Sequence, residues 1–377
     1  MQTNVPQPLL DCFATVTDPR IERTKRHQLI DILVIAICAT ICGADSWEDF
    51  ALFGNAKREW FNSFLELENG IPSPDTFRRV FARLDRREFQ HSFLQWVGSV
   101  AQLTKAEVIA IDGKQLLRRS HNRPAGKSAI HMVSAWAQEN RLALGQVKVE
   151  DKSNEITAIP ELLAMLEISG CIVTIDAMGC QTQIAEQIVE KEADYVLAVK
   201  KNQPYLYEDI EQYFSWALKD RFKETSFTKH QTVDREHGRI EVRRYYASDD
   251  IAWLRNKEGW RGLQSIAMVE SERTVIGKET TLERRYYISA LAADAKEIGR
   301  AIRGHWSIEN SLHWVLDIAF REDESRIRKG NGAENMAMLR HLALNLLKQE
   351  KSLKIGIKSK RLKAGWDETY LLKILRN

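Results

Sequence analysis

The chain has 377 residues, of which 44% are apolar and 28% charged. That length and balance can bury a large core and fit a soluble globular protein of two or three units. The net charge is only +3, so total charge carries no argument for a nucleic-acid partner, and such an argument has to come from where the charges sit. The cysteines Cys12, Cys38, Cys42, Cys171 and Cys180 are odd in number and show no Cys-x-x-Cys spacing. They read as reduced residues, not as a disulfide framework or a zinc site. The N-terminus has no basic segment followed by an apolar one, so no signal peptide is read there. The most apolar run, Leu29 to Cys42, contains Asp31 and falls short of the roughly 20 residues that cross a bilayer. The expectation is a cytoplasmic protein with no membrane partner.

Residues 1–95 read as helical. Ile30, Leu33, Val34 and Ile37 recur at helical spacing. Ser46 to Asp49 has the form of a capping box. Ser73-Pro74 offers an N-cap followed by proline at the first helical position. Phe77, Val80, Phe81 and Leu84 then form one apolar stripe, which leaves Arg78 and Arg79 off it.

From about 105 to 217 the pattern is α/β. Val108 to Asp112 is a short apolar strand. Ile130 to Ala137 and Leu142 to Val149 read as a hairpin. A helix starts at Ile159-Pro160, and Cys171 to Asp176 is a further strand. Thr182 to Lys191 is a helix and Tyr195 to Val199 a strand. Fully apolar runs of this kind belong to central strands covered on both faces. Residues at about 222–290 break the alternation with four strands, Phe227 to Val233, Ile240 to Tyr246, Ser265 to Val269 and Thr281 to Ile288. They read as a β-rich insertion with an antiparallel bias. Helices resume at Ala295 and close with Ala333 to Leu347. Residues 350–377 read as a basic tail.

Three acids stand out in this order of elements. Asp112 and Asp176 each close an apolar strand, and Glu309 lies in the helical run His305 to Trp314. A phosphodiester repels nucleophiles by its charge. Two divalent cations about 3.5–4 Å apart overcome this, and magnesium and manganese take oxygen ligands. A strand-terminal aspartate can equally well just start a turn. What favours ligands is two such strand ends together with a downstream helical glutamate.

The chain resembles the DDE transposases with a ribonuclease-H-like core. It is most similar to the insertion-sequence group with a β-rich insertion, and within that group to the ISAs-type, H-repeat-associated transposases. The resemblance rests on Ile111-Asp112-Gly113-Lys114, Thr174 to Gly179, Lys200 to Gln203, Asp234 to Glu241 and His305 to Trp314. It covers nearly the whole chain. It implies an α/β fold in which a helical N-terminal domain (1–95) for DNA binding or assembly precedes a catalytic domain (96–349). The catalytic domain is a ribonuclease-H-like mixed sheet split by the insertion. The resemblance further implies Asp112, Asp176 and Glu309 as ligands of two Mg2+ ions, with Mn2+ able to substitute. The reaction implied is cleavage at element ends followed by strand transfer. The partners implied are double-stranded DNA with terminal inverted repeats, target DNA and a second copy of the chain on DNA. Two other readings stay open: a catalytically inactive DNA-binding relative, and a metal-dependent nuclease without strand transfer.

The broader group carries Tyr and Arg seven and four residues before the Glu, and Lys seven after it. Here those positions hold Ile302, His305 and Leu316, so phosphate contacts do not carry over. Arg303, His313 and Arg321 are the candidate substitutes. Lys114, Arg118 and Arg119 after the first Asp, and Lys200, Lys201 and Asn202 after the strand ending at Val199, are further candidates for DNA contact. Arg78 and Arg79 are read either as a groove-reading pair or as ordinary exposed arginines. Trp260 is read either as a stacking residue or as packing.

Overall fold

The structure is a computed structural model. It describes residues 7–116, 130–150, 153–220, 226–236, 238–275, 277 and 279–376. Six helices come first: α1 (Gln7–Ala14), α2 (Leu29–Ile41), α3 (Trp47–Ala56), α4 (Arg58–Phe61), α5 (Pro74–Arg83) and α6 (Arg86–Val100). The expected caps are present. The Ser46 hydroxyl accepts from the Asp49 amide, and the Asp49 carboxylate accepts from the Ser46 amide. Ser73 caps α5 ahead of Pro74. Phe77, Val80, Phe81 and Leu84 are fully buried, so the apolar stripe is the face that α5 turns inward.

The α/β part follows as β1 (Val108–Leu116), β2 (Ile130–Ala137), β3 (Leu142–Lys148), α7 (Glu155–Met165), β4 (Ile172–Ile175), α8 (Thr182–Glu190), β5 (Asp194–Val199) and α9 (Pro204–Lys219). Then come β6 (Thr228–Glu236), β7 (Arg239–Ser248), β8 (Ser265–Val275) and β9 (Thr281–Ser289). The chain ends with α10 (Ala295–Ile308), a π-helical turn (Glu309–His313), α11 (Trp314–Phe320), α12 (Gly332–Gln349), α13 (Ile357–Trp366) and α14 (Glu368–Leu375).

Among the described residues, nine strands form one sheet in the order β3-β2-β1-β4-β5-β9-β8-β7-β6. β1, β4 and β5 run parallel, and the rest pair antiparallel. The inserted strands do not close on themselves. β9 pairs with β5 through Val196–Val199, so the insertion widens the core sheet. Two further corrections concern boundaries. β1 does not end at Asp112 but runs on to Leu116, because β2 continues its ladder. α7 begins at Glu155, where Asn154 caps the Ile156 amide, and takes Pro160 into its interior.

Within the expected tail, the described residues 350–376 do not run free. They fold into α13 and α14 and pack back on the core. Lys360 is buried and donates to the Leu347 carbonyl at 2.9 Å. Arg361 is also buried, and it donates to the Thr40 carbonyl at 2.9 Å while lying over the Phe320 ring. Both cations are spent on helix ends, where unpaired carbonyls need donors.

One apolar core joins the N-terminal helices, the sheet and α12. α12 is buried on nearly all sides, and its polar residues serve neighbouring backbone. Asn335 donates to the Phe81 and Leu84 carbonyls at the end of α5. Asn345 accepts from the Ala143 amide at 2.8 Å and donates to the Ala143 carbonyl at 2.9 Å. β3 is an edge strand, and this side chain completes its open hydrogen bonds as another strand would. Asn345→Ala leaves both backbone groups buried and unpaired. The expected loss is about 2–3 kcal/mol, read as a lower urea midpoint at unchanged slope.

Candidate active site

The parallel pairing of β1 with β4 sets Ile111 opposite Ile175. The next residue on each chain is an aspartate, so Asp112 and Asp176 are neighbours at the carboxyl end of the parallel pair. They are held differently. Asp112 stays in the ladder with β2, opposite Ser134. Asp176 leaves the sheet and caps a short 3-10 turn, where its Oδ1 accepts from the Met178 amide at 3.0 Å. It is therefore both the turn-starting residue and a member of the site. Asn202 donates to the Ala177 carbonyl at 2.6 Å, and Gln203 to Cys180 at 2.8 Å, which pins that turn to the start of α9. Asn202 is thus a support of the Asp176 turn.

Glu309 arrives on the long helix that crosses the sheet. Two glycines let α10 lie close. A Cβ at Gly304 would fall 2.1 Å from the Gln138 Oε1 and 2.9 Å from Val108, and one at Gly299 would fall 3.0 Å from the Tyr245 ring. His305 meets the Thr174 hydroxyl of β4 at 3.1 Å. Glu309 then opens a five-residue π turn, a bulge often found at functional sites.

Asp112, Asp176 and Glu309 line one cavity of about 650 Å³. Burial pushes the Asp112 carboxyl up to about 7, and the negative charges of Asp176, Glu155 and Glu309 add to the rise. Among the described residues no three Asp, Glu, His or Cys side chains form a cluster that could hold a metal ion. The trio lines the cavity without closing a ligand shell. The donor chemistry nonetheless fits a hard divalent cation, because the acids are oxygen donors and their mutual repulsion favours added positive charge.

His313 is buried one helical turn beyond Glu309, with Nδ1 3.6 Å from the Asp112 Oδ2. That distance is too long for a hydrogen bond. Burial, with the Lys114 charge second, pushes the imidazole down to about 3, so it faces Asp112 uncharged. The sequence reading missed Glu155 and His131, which pair at 2.8 Å over the β1 backbone. A Cβ at Gly113 would sit 2.0 Å from the Glu155 Oε1, so only glycine admits this pair beside Asp112.

The candidate DNA contacts separate. Lys200 and Lys201 are exposed and line the acid cavity. Arg284 and Arg285 of β9 and Trp306 of α10 line it too and were not foreseen. Arg285 lies 5.4 Å from the Trp306 ring centre. Lys114 is no surface contact. It is inside the protein, bonded to Asp317 and, at 3.0 Å, to Glu322, with the His313 carbonyl at 3.4 Å. It ties β1 to the Glu309 helix. Arg303 points away from the trio into a cavity beside His230 and Tyr245, 3.7 Å from Asp234. Arg321 pairs with Glu324 beyond α11. Arg78 and Arg79 both pair with Asp75 on the outer face of α5. Arg118 and Arg119 lie outside the described residues. Trp260 is buried and packs in the core. Ile302 and Leu316 are buried, so the positions of the group's Tyr and Lys serve packing here.

Fold and site together describe a carboxylate-lined cavity at the end of the parallel strands of a mixed α/β sheet. The chain belongs to the DDE transposase family. Residues 10–97 match the DDE_Tnp_1-associated domain and residues 103–346 the Transposase DDE domain. It is 43% identical to "Putative transposase YncI" of Escherichia coli O157:H7, over 98% of this chain and 94% of that one. It is 39% identical to "H repeat-associated putative transposase YhhI" of Escherichia coli K12, over 97% of each.

Two outcomes are expected. Lys114→Met removes the cation between the half-buried Asp317 and the buried Glu322 and leaves Glu322 only Arg340, at 3.7 Å, among the described residues, which costs about 3 kcal/mol and is read by denaturant unfolding. Asp112 titrates near 7 when folded and near 3.9 when unfolded. The folded state therefore holds a proton the unfolded chain has lost, and stability falls as pH rises from about 4 to about 7. In buffer with a chelator, Asp112→Asn removes that decline and is more stable than wild type at pH 8 by about 1–3 kcal/mol. At pH 4 the two converge. A difference that grows toward low pH would refute the assignment.

Proposed function

We propose that this chain is a DNA transposase that cleaves DNA at the ends of a mobile element and joins those ends to target DNA. The observation that carries the reading is the cavity itself. Acids from β1, β4 and the crossing helix line it, and Lys200, Lys201, Arg284 and Arg285 line the same space. The order β3-β2-β1-β4-β5, with β1, β4 and β5 parallel, supports a ribonuclease-H-like core within residues 96–349. Residues 1–95 would serve DNA binding or assembly.

Asp112, Asp176 and Glu309 would hold two Mg2+ ions, or Mn2+ in their place. When bound, the ions activate the attacking oxygen and stabilise the leaving one. The rest falls to the chain. The cations at the cavity would take the phosphates and fix the register of the backbone. The Asp176 turn, pinned by Asn202, and the helix, pinned by Lys114, would keep the carboxylates in place. His313, held neutral, adds no charge beside Asp112. Joining both ends of one element calls for two copies of the chain on DNA. The proposed setting is the cytoplasm, on nucleoid DNA, and no helix among the described residues is long and apolar enough to cross a membrane.

Labelled DNA carrying the element's terminal inverted repeats, incubated with Mg2+, tests this. The expected outcome is cleavage and joining by the wild type and neither by Asp176→Ala, with both proteins retaining DNA binding. Cleavage without joining would identify a nuclease. Binding without cleavage by the wild type would identify an inactive relative.

A further inference from the structure

A second groove, of about 1210 Å³, lies between the N-terminal helices and the loop after α11. Arg78 and the start of α3 line one side, and Arg321, Arg326, Arg328 and Lys329 the other. The loop is anchored on α5. The Asn331 amide donates to the Ala82 carbonyl at 3.1 Å, and its side chain to Leu84 at 3.0 Å. Gly330, at φ +55°, lies so close that a Cβ would fall 2.2 Å from the Ala82 oxygen. Cations from two distant parts of the chain are thereby fixed on one surface.

Most acids of the groove are engaged within the protein. Asp49 closes the α3 capping box, Asp45 lies 3.7 Å from Arg361, and Glu324 accepts from Arg321. Glu48 stays exposed. Arg326 and Lys329 are exposed and, among the described residues, pair with no carboxylate. Although Arg78 pairs with Asp75, the cations that line the groove outnumber its acids by six to four, so the groove carries a net positive charge.

The groove is connected to the acid cavity by helix. Glu309 and Arg321 stand at the two ends of the π turn and α11. Twelve residues at 1.5 Å each place them about 18 Å apart. That is about five base pairs of duplex at 3.4 Å each. The exposed face between them carries Asn310, Trp314 and Ile318, and the nearby Asp317 is taken by Lys114.

We propose that this groove is a second phosphate-binding surface, which holds the backbone of duplex DNA about five base pairs from the bond placed at the carboxylates. The inference rests on the reading of the acid cavity as a DNA-cleaving centre. Its contribution is to fix the direction of the duplex as it leaves that centre, because phosphate contacts position a helix without reading its sequence.

The test measures binding of the full chain to a fluorescein-labelled mixed-sequence duplex of about 30 base pairs, by anisotropy, without divalent ions, across KCl concentrations. Each cation that neutralises a phosphate adds about 0.9 to the slope of log affinity against log salt. Arg326→Gln/Lys329→Gln is expected to lower the slope by about 1.8, so the fall in affinity between 50 and 200 mM KCl becomes about twelvefold smaller. The charge-preserving Arg326→Lys/Lys329→Arg variant keeps the wild-type slope. So does Lys257→Gln/Arg261→Gln, which removes two cations from a different cavity. If the first variant keeps the wild-type slope, or the Lys257/Arg261 variant loses as much, the groove is not the binding surface and the cleavage reading still stands. If the wild type binds no duplex at any salt, both fall together.

Discussion

Parallel pairing of β1 with β4 forces two negative charges together, and the rest of the site answers that constraint. With Ile111 opposite Ile175, the ladder delivers Asp112 and Asp176 side by side, each one residue past its last pair. Burial raises the proton affinity of the Asp112 carboxyl, and the neighbouring negative charge of Asp176 adds to the rise. The two acids are held differently. Asp176 turns out of the sheet and takes a backbone donor, whereas Asp112 stays in the strand and carries the large upward shift. A site left in that condition favours any positive charge that can enter, and the cavity mouth supplies Lys200, Lys201, Arg284 and Arg285.

The third acid depends on a different force. Glu309 sits on a helix whose contact with the sheet is made by absent side chains, at Gly299 and Gly304, and by a buried ion cluster. Lys114 leaves β1 two residues past Asp112 and meets Asp317 and Glu322 on the far side of the π turn. Glu322 is fully buried and also faces Arg340 at 3.7 Å. Such clusters seldom add net stability over an apolar core. What this one contributes is direction. An apolar contact would let the helix slide, whereas a lysine reaching two carboxylates and a carbonyl fixes its position along β1. Glu309 and Asp112 are thereby held in one frame although the chain between them is long.

Much of this was legible in the sequence, and the remainder fails for identifiable reasons. Apolar runs ending in aspartate located β1 and β4, and the helical spacing after Ala295 located Glu309. The parallel register that joins the two aspartates was not legible, because local pattern does not record which strands pair. α9 was missed, although Pro204 at its first position and Leu206, Ile210, Tyr213, Phe214 and Ala217 at helical spacing carry its signature. Lys114 was misread as a surface cation because its partners lie more than 200 residues further on, and local spacing holds no record of such contacts. The same blindness made residues 350–377 a tail. Their lysines dominate the composition, while Leu371, Leu372, Ile374 and Leu375 supply the buried face. Arg284-Arg285-Tyr286-Tyr287 repeats the run Arg243-Arg244-Tyr245-Tyr246, and nothing in that run marks the cavity. Pairing does not separate them, since Arg284 shares Glu270 with Arg244 and Arg285 pairs with Glu283; position in the sheet does, because the β9 pair stands beside β5 at the cavity.

That last contrast explains why the insertion joins the core sheet. A sheet ending at β5 would leave an open edge beside the carboxylates, with unpaired backbone groups facing the cavity. β9 satisfies that edge through Val196–Val199 and brings its own side chains in the same step. Since neighbouring strands lie about 4.8 Å apart, the basic wall follows the acids at strand spacing. An insertion folded as a separate unit would need an interface to hold its cations in register with Asp176. Here the hydrogen-bond ladder itself sets that register, so the position of the cations is as fixed as that of the acids they face.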